Sequence, residues 1–306
     1  MSAGAWPVRL WLPALSRFAP AHPLRLLARQ ADRLSDGAQG YVAGLAQNFG
    51  LLADTLPAAA LTRQWYAGDA GDQLWLAADP AWVQPDMNGA RLLACGQWQL
   101  SMDEAQSLAA SVRPAVEEAG MQLLVSAPDR WQLRLPAGLA LPPFSAPEQA
   151  LGEDLFQHLP QGEAGRAWRR LINDAQVLLH QHPLNARRRE QGLPPINSLW
   201  LWGGGRLPAV LDTPWHGVIS DEPVLCALAE KARIPAQPRS PDAVATAGDG
   251  WLIDLQDLPV DAIAAHFETS IQQRAAAGAL ELAFASGERY LHKRWHRLRR
   301  WRRGGV

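Results

Sequence analysis

Ser198–Pro208 reads SLWLWGGGRLP: an apolar run holding two tryptophans leads into three glycines and an arginine. The run predicts a strand, and glycines at its end can either present backbone N–H groups to an anion or make a tight turn. Arg206 adds a guanidinium with bidentate geometry. The spacing is neither that of a P-loop nor that of a dinucleotide fingerprint, since Pro208 stands where a third spaced glycine would fall. Trp200 and Trp202 share one side of the strand, and core packing is the favoured reading over stacking on a ligand.

Outward from this stretch the pattern alternates. Upstream, QLWLAADP, RLLAC, QLLVSAP and RWQLRLP read as strands, and SMDEAQSLAASVRPAVEEAG as a helix opened by a capping box at Ser101 and Glu104 and kinked or split at Pro114. Leu24, Leu27, Ala28, Ala31 and Leu34 give an earlier helix one apolar face, and GYVAGLAQNFGLL suggests a short helix after it. A long helix from Glu163 to about His182 carries Leu171, Ala175, Leu178 and Leu179 on its stripe. Downstream come HGVIS as a strand, a helix started by Asp221, the strand GWLIDL, a helix from Val260 to about Ala277, and a hairpin at Ser286-Gly287. Alternating strands and helices predict an α/β protein. Expected boundaries give an N-terminal part of the core (1–72), a smaller α+β lobe (73–147), a main α/β core (148–288) and a basic tail (289–306), with the proline-rich PAGLALPPFSAP as the lobe boundary.

At 306 residues and 48% hydrophobic content the chain can bury one large core or two modest ones. It has no apolar window long enough to span a membrane, no signal-peptide pattern, and two cysteines without metal or redox spacing, so a cytoplasmic protein is expected. Tryptophan occurs 14 times against 3 tyrosines, which points to large apolar surfaces to be packed. Eight Lys or Arg lie between Arg289 and Arg303, so a net charge of −1 becomes −9 for the rest of the chain. Lys293, Arg294, Trp295, Arg297, Arg299, Arg300 and Trp301 form a cationic, aromatic end suited to an anionic membrane surface or another acidic partner, with nucleic acid less favoured. The alternative is that this end lies on the protein's own acidic body.

His182 to Arg206 reads HPLNARRREQGLPPINSLWLWGGGR. It resembles the segment HPxNxxRxxxGxxPxNxxWxWGxGR of the archaeal-type, cofactor-independent phosphoglycerate mutases of the alkaline phosphatase superfamily. The match falls on His182, Pro183, Asn185, Arg188, Gly192, Pro195, Asn197, Trp200, Trp202, Gly203, Gly205 and Arg206. GVISDEPVLCALAEKARI and the stretch from Gln73 are similar to the same family, and the likeness reaches about Pro235. The whole chain resembles most an offshoot of that family, the proteobacterial proteins named for regulation of pathogenicity factors. The resemblance implies an alkaline-phosphatase-like sheet flanked by helices. It also implies a ligand set at His182, Asn185, Arg188, Asn197, Gly203, Gly204, Gly205 and Arg206 for a phosphorylated small molecule. His182 and Asn185 equally suit a helix cap and a turn.

The family's chemistry, as the resemblance implies it, uses a serine nucleophile between two divalent ions held by Asp and His. This sequence has no DGxGD near its start, where Ser16 and Ser35 stand without an acidic cluster around them, and no Asp-His dipeptide anywhere. The family's YRCN arginine is replaced within AWVQPD. Asp154/His158 and Asp212/His216 have ligand-like spacing, which chance supplies among eight histidines. The expectation is a non-catalytic relative with a regulatory or phosphometabolite-binding role and no cofactor. The alternatives are an active metal-dependent mutase or phosphatase with rearranged ligands, and an adaptor acting through the tail.

Overall fold

The computed structural model describes residues 6–52, 56–87, 89–96 and 98–298. The chain makes two compact units: one of residues 1–53 and 210–306, the other of Asp54–Ala209. It begins in the first unit with β1 (Val8–Leu12), α1 (Pro23–Gln30), β2 (Asp32–Arg33) and α2 (Tyr41–Asn48). The second unit contains α3 (Ala58–Ala67), β3 (Leu74–Asp86), β4 (Gly89–Cys95), α4 (Met102–Glu118), β5 (Gln122–Ala127) and β6 (Arg130–Leu135), then the short α5 (Pro147–Ala150) and α6 (Leu155–His158). It closes with α7 (Arg166–His180), α8 (Pro183–Glu190) and β7 (Ser198–Gly205). The chain then returns to the first unit through β8 (Gly217–Ile219), α9 (Pro223–Lys231), β9 (Ala236–Gln237), α10 (Pro241–Thr246), β10 (Trp251–Asp254), α11 (Val260–Ala277), β11 (Leu280–Phe284) and β12 (Arg289–His292).

In the first unit a seven-stranded sheet runs β2-β12-β11-β1-β10-β8-β9, parallel from β11 through β9, with β12 and β2 added antiparallel at one edge. VRLWL and LELAF are buried along their whole length, as strands covered on both faces must be. Val8, Leu10 and Leu12 point to one face, where Leu24 and Ala28 of α1 and Ile263, Phe267 and Ile271 of α11 complete the core. The alternate residues do something else. Arg9 is opposite Glu281 in the ladder, and its guanidinium bonds Glu281 and Asn48. α1 ends at Gln30, so the expected Leu34 lies beyond it, past β2.

The second unit is a five-stranded antiparallel sheet in which β3 pairs with β4, β6 and β7, and β6 with β5. α4 and α7 cover it with Leu108, Val112, Trp168, Leu171, Ile172, Ala175 and Leu179. Leu178, expected on that stripe, is exposed; Trp168 and Ile172 serve in its place. The Ser101/Glu104 capping box forms as read, but α4 runs unsplit through Pro114 to its end one turn later. PAGLALPPFSAP is a connection inside this unit, held by Leu141 and Phe144 against the core. The two compact units accordingly divide at 53/54 and 209/210, away from the sequence boundaries at 73 and 147. The α/β class stands: a central, mostly parallel sheet flanked by helices, with an α+β unit beside it in sequence.

Candidate functional site

The signature residues lie on α8, the loop behind it and β7. His182 caps α8, its Nδ1 accepting the Leu184 N–H at 3.2 Å while Nε2 lies 3.3 Å from Ser107 Oγ. Burial holds this imidazole below its ordinary pKa, the state in which Nδ1 can accept. Asn185, 2% exposed, donates to the Leu179 and Ile196 carbonyls at 2.8 Å each and accepts the Ile196 N–H at 2.8 Å. The buried Arg188 donates from Nε to the Pro194 carbonyl (2.9 Å) and from a terminal nitrogen to the Gln99 carbonyl (3.0 Å), with its guanidinium over the Trp98 ring. Asn197 accepts the Val83 N–H and donates to the Val83 carbonyl, extending the β3–β7 ladder by one step through a side chain. Four residues read as ligand contacts are therefore brought together, but around the protein's own backbone. Bonds of this kind at a charged or buried group are each worth about 1–3 kcal/mol.

Gly203, Gly204 and Gly205 are strand residues of β7, neither a loop nor a strand-to-helix turn. A Cβ on Gly203 would sit 2.7 Å from Ala58 Cβ, one on Gly204 2.6 Å from a Leu141 methyl, and one on Gly205 2.8 Å from Pro57 Cβ. Gly203 and Gly205 face Ala58 and Pro57 at the start of α3, where their missing side chains let helix and strand approach, while Gly204 faces Leu141 and Leu76. Gly203 also has φ +59°, a left-handed conformation that favours glycine. The Arg206 guanidinium donates to the Asp72 carbonyl. Trp200 and Trp202 are buried, with indole N–H groups donating to the Ser145 carbonyl (2.9 Å) and to Asp79 (2.8 Å). Asp79 also accepts the Trp131 N–H, and burial raises its pKa to about 6.

A second polar cluster escaped the sequence reading. It lies where the parallel strands β8 and β10 end, the edge at which open α/β sheets bind ligands. Asp254, 0% exposed, closes β10. Its Oδ2 accepts from Ser220 Oγ (2.7 Å) and Arg239 (2.8 Å), and its Oδ1 accepts the Gln256 N–H (3.2 Å). Arg239 reaches Asp257 as well, at 2.6 and 3.2 Å. Burial works against the Arg239 charge, but Asp254 and Asp257 outweigh it and hold the guanidinium above its ordinary range. Beside them the Cys226 thiol is pushed up to about 12, first by burial and then by Glu222 and Asp221, which makes it a poor nucleophile. α9 is capped by Glu222, which accepts the Leu225 N–H at 2.7 Å; Asp221, expected in that place, accepts the Arg239 N–H instead.

The ligand-spaced pairs do not converge. Asp154 caps α6 while His158 faces Ser145, and His216 faces the Asp249 carbonyl. Ser16 and Ser35 are exposed. Among the described residues no three His, Cys, Asp or Glu side chains gather around a common point. The residues present do not fit a divalent ion at the strand ends, because the Asp254 carboxylate already has a guanidinium as its counter-charge.

At the basic end, Lys293 and His296 reach Asp32, at 3.8 and 3.3 Å, and Trp295 is 60% exposed beneath the Lys293 ammonium. Arg294 is exposed on a 3-10 turn. The Arg297 side chain and Arg299, Arg300 and Trp301 lie outside the described residues. No described helix is long and apolar enough to cross a membrane.

No family model matches the chain. A 62-residue stretch, 20% of the chain, is 42% identical to a probable 2,3-bisphosphoglycerate-independent phosphoglycerate mutase of Geobacter sulfurreducens and 40% identical to the 2,3-bisphosphoglycerate-independent phosphoglycerate mutase of Methanosarcina mazei. That stretch spans 16% of the length of each relative. Among solved structures, the PH0037 protein of Pyrococcus horikoshii superposes on 94% of the chain and 87% of its own with a TM-score of 0.50 at 13% identity, a likeness of fold. The cofactor-independent phosphoglycerate mutase of Thermoplasma acidophilum aligns over 94% and 90% with a TM-score of 0.39, also at 13% identity. The class is thus a helix-flanked α/β protein. Within it, the chain carries a segment related to the archaeal-type cofactor-independent phosphoglycerate mutases.

Proposed function

We propose that this phosphoglycerate-mutase-like protein acts by binding, in a regulatory role, and does not transfer phosphoryl groups. The observation that carries the reading is the Arg239 guanidinium set between Asp254 and Asp257 at the carboxyl edge of the parallel sheet. Metal-assisted phosphoryl transfer needs carboxylates free to hold cations that neutralise the phosphate and activate a hydroxyl. Here the buried carboxylate at that edge is already neutralised from within, and its oxygens are filled by Ser220, Arg239 and Gln256. The signature on α8 and β7 supports the same reading, since His182, Asn185, Arg188 and Asn197 serve as braces for the second unit. No step through a metal follows from such a set of residues.

The test is direct. Purified protein incubated with Mn2+ or Mg2+ is assayed for conversion of 3- to 2-phosphoglycerate, and Mn2+ is titrated calorimetrically. The expected result is no conversion above a protein-free control and no saturable Mn2+ binding. Turnover accompanied by stoichiometric metal would overturn the proposal.

A further inference from the structure

Within the first unit, α1 and α11 leave an apolar groove of about 320 Å3 between them. Leu26 and Leu27 line it from α1, and Ile271, Ala275 and Ala276 from α11. Leu26 and Ala276 are exposed, so the groove opens to solvent. This is the size and lining of a small-molecule site, an apolar trough with a few polar groups converging on it.

Two polar side chains give the trough a direction. His292, 4% exposed, lines it with a buried Nδ1 that has no hydrogen-bond partner. An unmet buried nitrogen is costly, and it leaves His292 as a polar group without a partner on an otherwise apolar wall. Burial, helped by His296, lowers this histidine to about 4, so it is neutral at pH 7 and accommodates an apolar neighbour. Arg294 also lines the groove, is exposed, and has no acidic partner among the described residues. The nearby acid on the lining, Glu268, is held by Gln272 at 3.0 Å. The lining therefore carries one cation, Arg294, and one carboxylate, Glu268, whose Oε1 is taken by the Gln272 amide.

We propose that the groove between α1 and α11 binds a small anionic amphiphile, an unbranched carbon chain lying between the helices with its acid group at Arg294. The chain removes exposed apolar surface from water, and the guanidinium gives the carboxylate a two-pronged partner. A cationic head would meet the like charge of Arg294 and share Glu268 with the Gln272 amide. This inference does not depend on whether the protein transfers phosphoryl groups.

Titration of the full-length chain with dodecanoate below its micellar concentration tests it, by calorimetry and by thermal melting. One saturable site per chain and a raised melting temperature are expected, with dodecylamine giving neither. Arg294→Glu and Ala276→Phe, both at exposed positions, should each melt like the parent and weaken dodecanoate binding at least tenfold, the first by reversing the head contact and the second by filling the trough. Four results would overturn the proposal. Dodecanoate fails to saturate a site; or dodecylamine binds as well. Ala276→Phe instead dissociates an oligomer that dodecanoate leaves untouched, making a second copy the occupant. Or binding arises only after residues 299–306 are removed, making the chain's own end the occupant.

Discussion

The side chain of Asn197 exchanges two hydrogen bonds with the backbone of Val83, accepting the amide at 2.9 Å and donating to the carbonyl at 2.8 Å. A side-chain amide here does what a strand residue would do, because it alone offers donor and acceptor at the spacing of a peptide group. Asn197→Asp keeps the acceptor and loses the donor, leaving the Val83 carbonyl facing a carboxylate. A loss of about 1–3 kcal/mol is expected in urea unfolding. An unchanged midpoint would show that the ladder extension is ornamental.

Arg239 provides a sharper case. Arg239→Met strips a buried carboxylate of its counter-charge, and removal of one member of a buried pair costs about 3–5 kcal/mol. Adding Asp254→Asn to the same protein removes the orphaned charge and should recover most of that loss. The double-variant cycle is read by chemical denaturation, and additive losses would mean that the two residues are not coupled.

Asp79 makes stability depend on pH. Its folded pKa is about 6, raised by burial, while an unfolded aspartate titrates near its ordinary ~3.9. Between those values the folded state holds more protons, so stability is greatest at the acid end of the window and falls as pH rises from about 4 to 6, by roughly 2–3 kcal/mol. Asp79→Asn should flatten that slope. Unfolding free energies at pH 4, 5, 6 and 7 for both proteins decide it, and an identical slope would remove Asp79 as its source.

Gly203→Ala combines two penalties, a left-handed φ and a Cβ placed 2.7 Å from that of Ala58. A fall in thermal midpoint of several degrees is expected. The pair Gly203→Ala with Ala58→Gly should recover the steric part and not the conformational part. Full recovery would refute the conformational contribution.

Local patterns were legible where short stretches of chain determine the outcome. The Ser101/Glu104 box, the helix at Val260–Ala277, the hairpin at Gly287 and the burial of Trp200 and Trp202 all follow from periodicity and capping within a few residues. The roles of Asn185 and Arg188 were not legible, because their partners are carbonyls of Leu179, Ile196, Pro194 and Gln99, and a backbone carbonyl leaves no mark in a sequence. Arg239, Asp254 and Asp257 escaped notice for a related reason: they meet only because β9 and β10 end on either side of β8. Gly203–Gly205 show how one pattern serves two ends, since glycine suits a close helix–strand contact as well as an anion loop.

Between α2 and β8 the first unit is interrupted by the whole of the second, so β1 must find β11 across a separation of 272 residues, as the Arg9–Glu281 bond measures. During synthesis from the N-terminus, Asp54–Ala209 is complete long before Leu280 emerges. VRLWL, an apolar strand destined for the middle of a parallel sheet, must wait without its neighbours through that interval. Slow assembly of the first unit, limited by this long-range parallel pairing, is built into the order in which the chain is threaded.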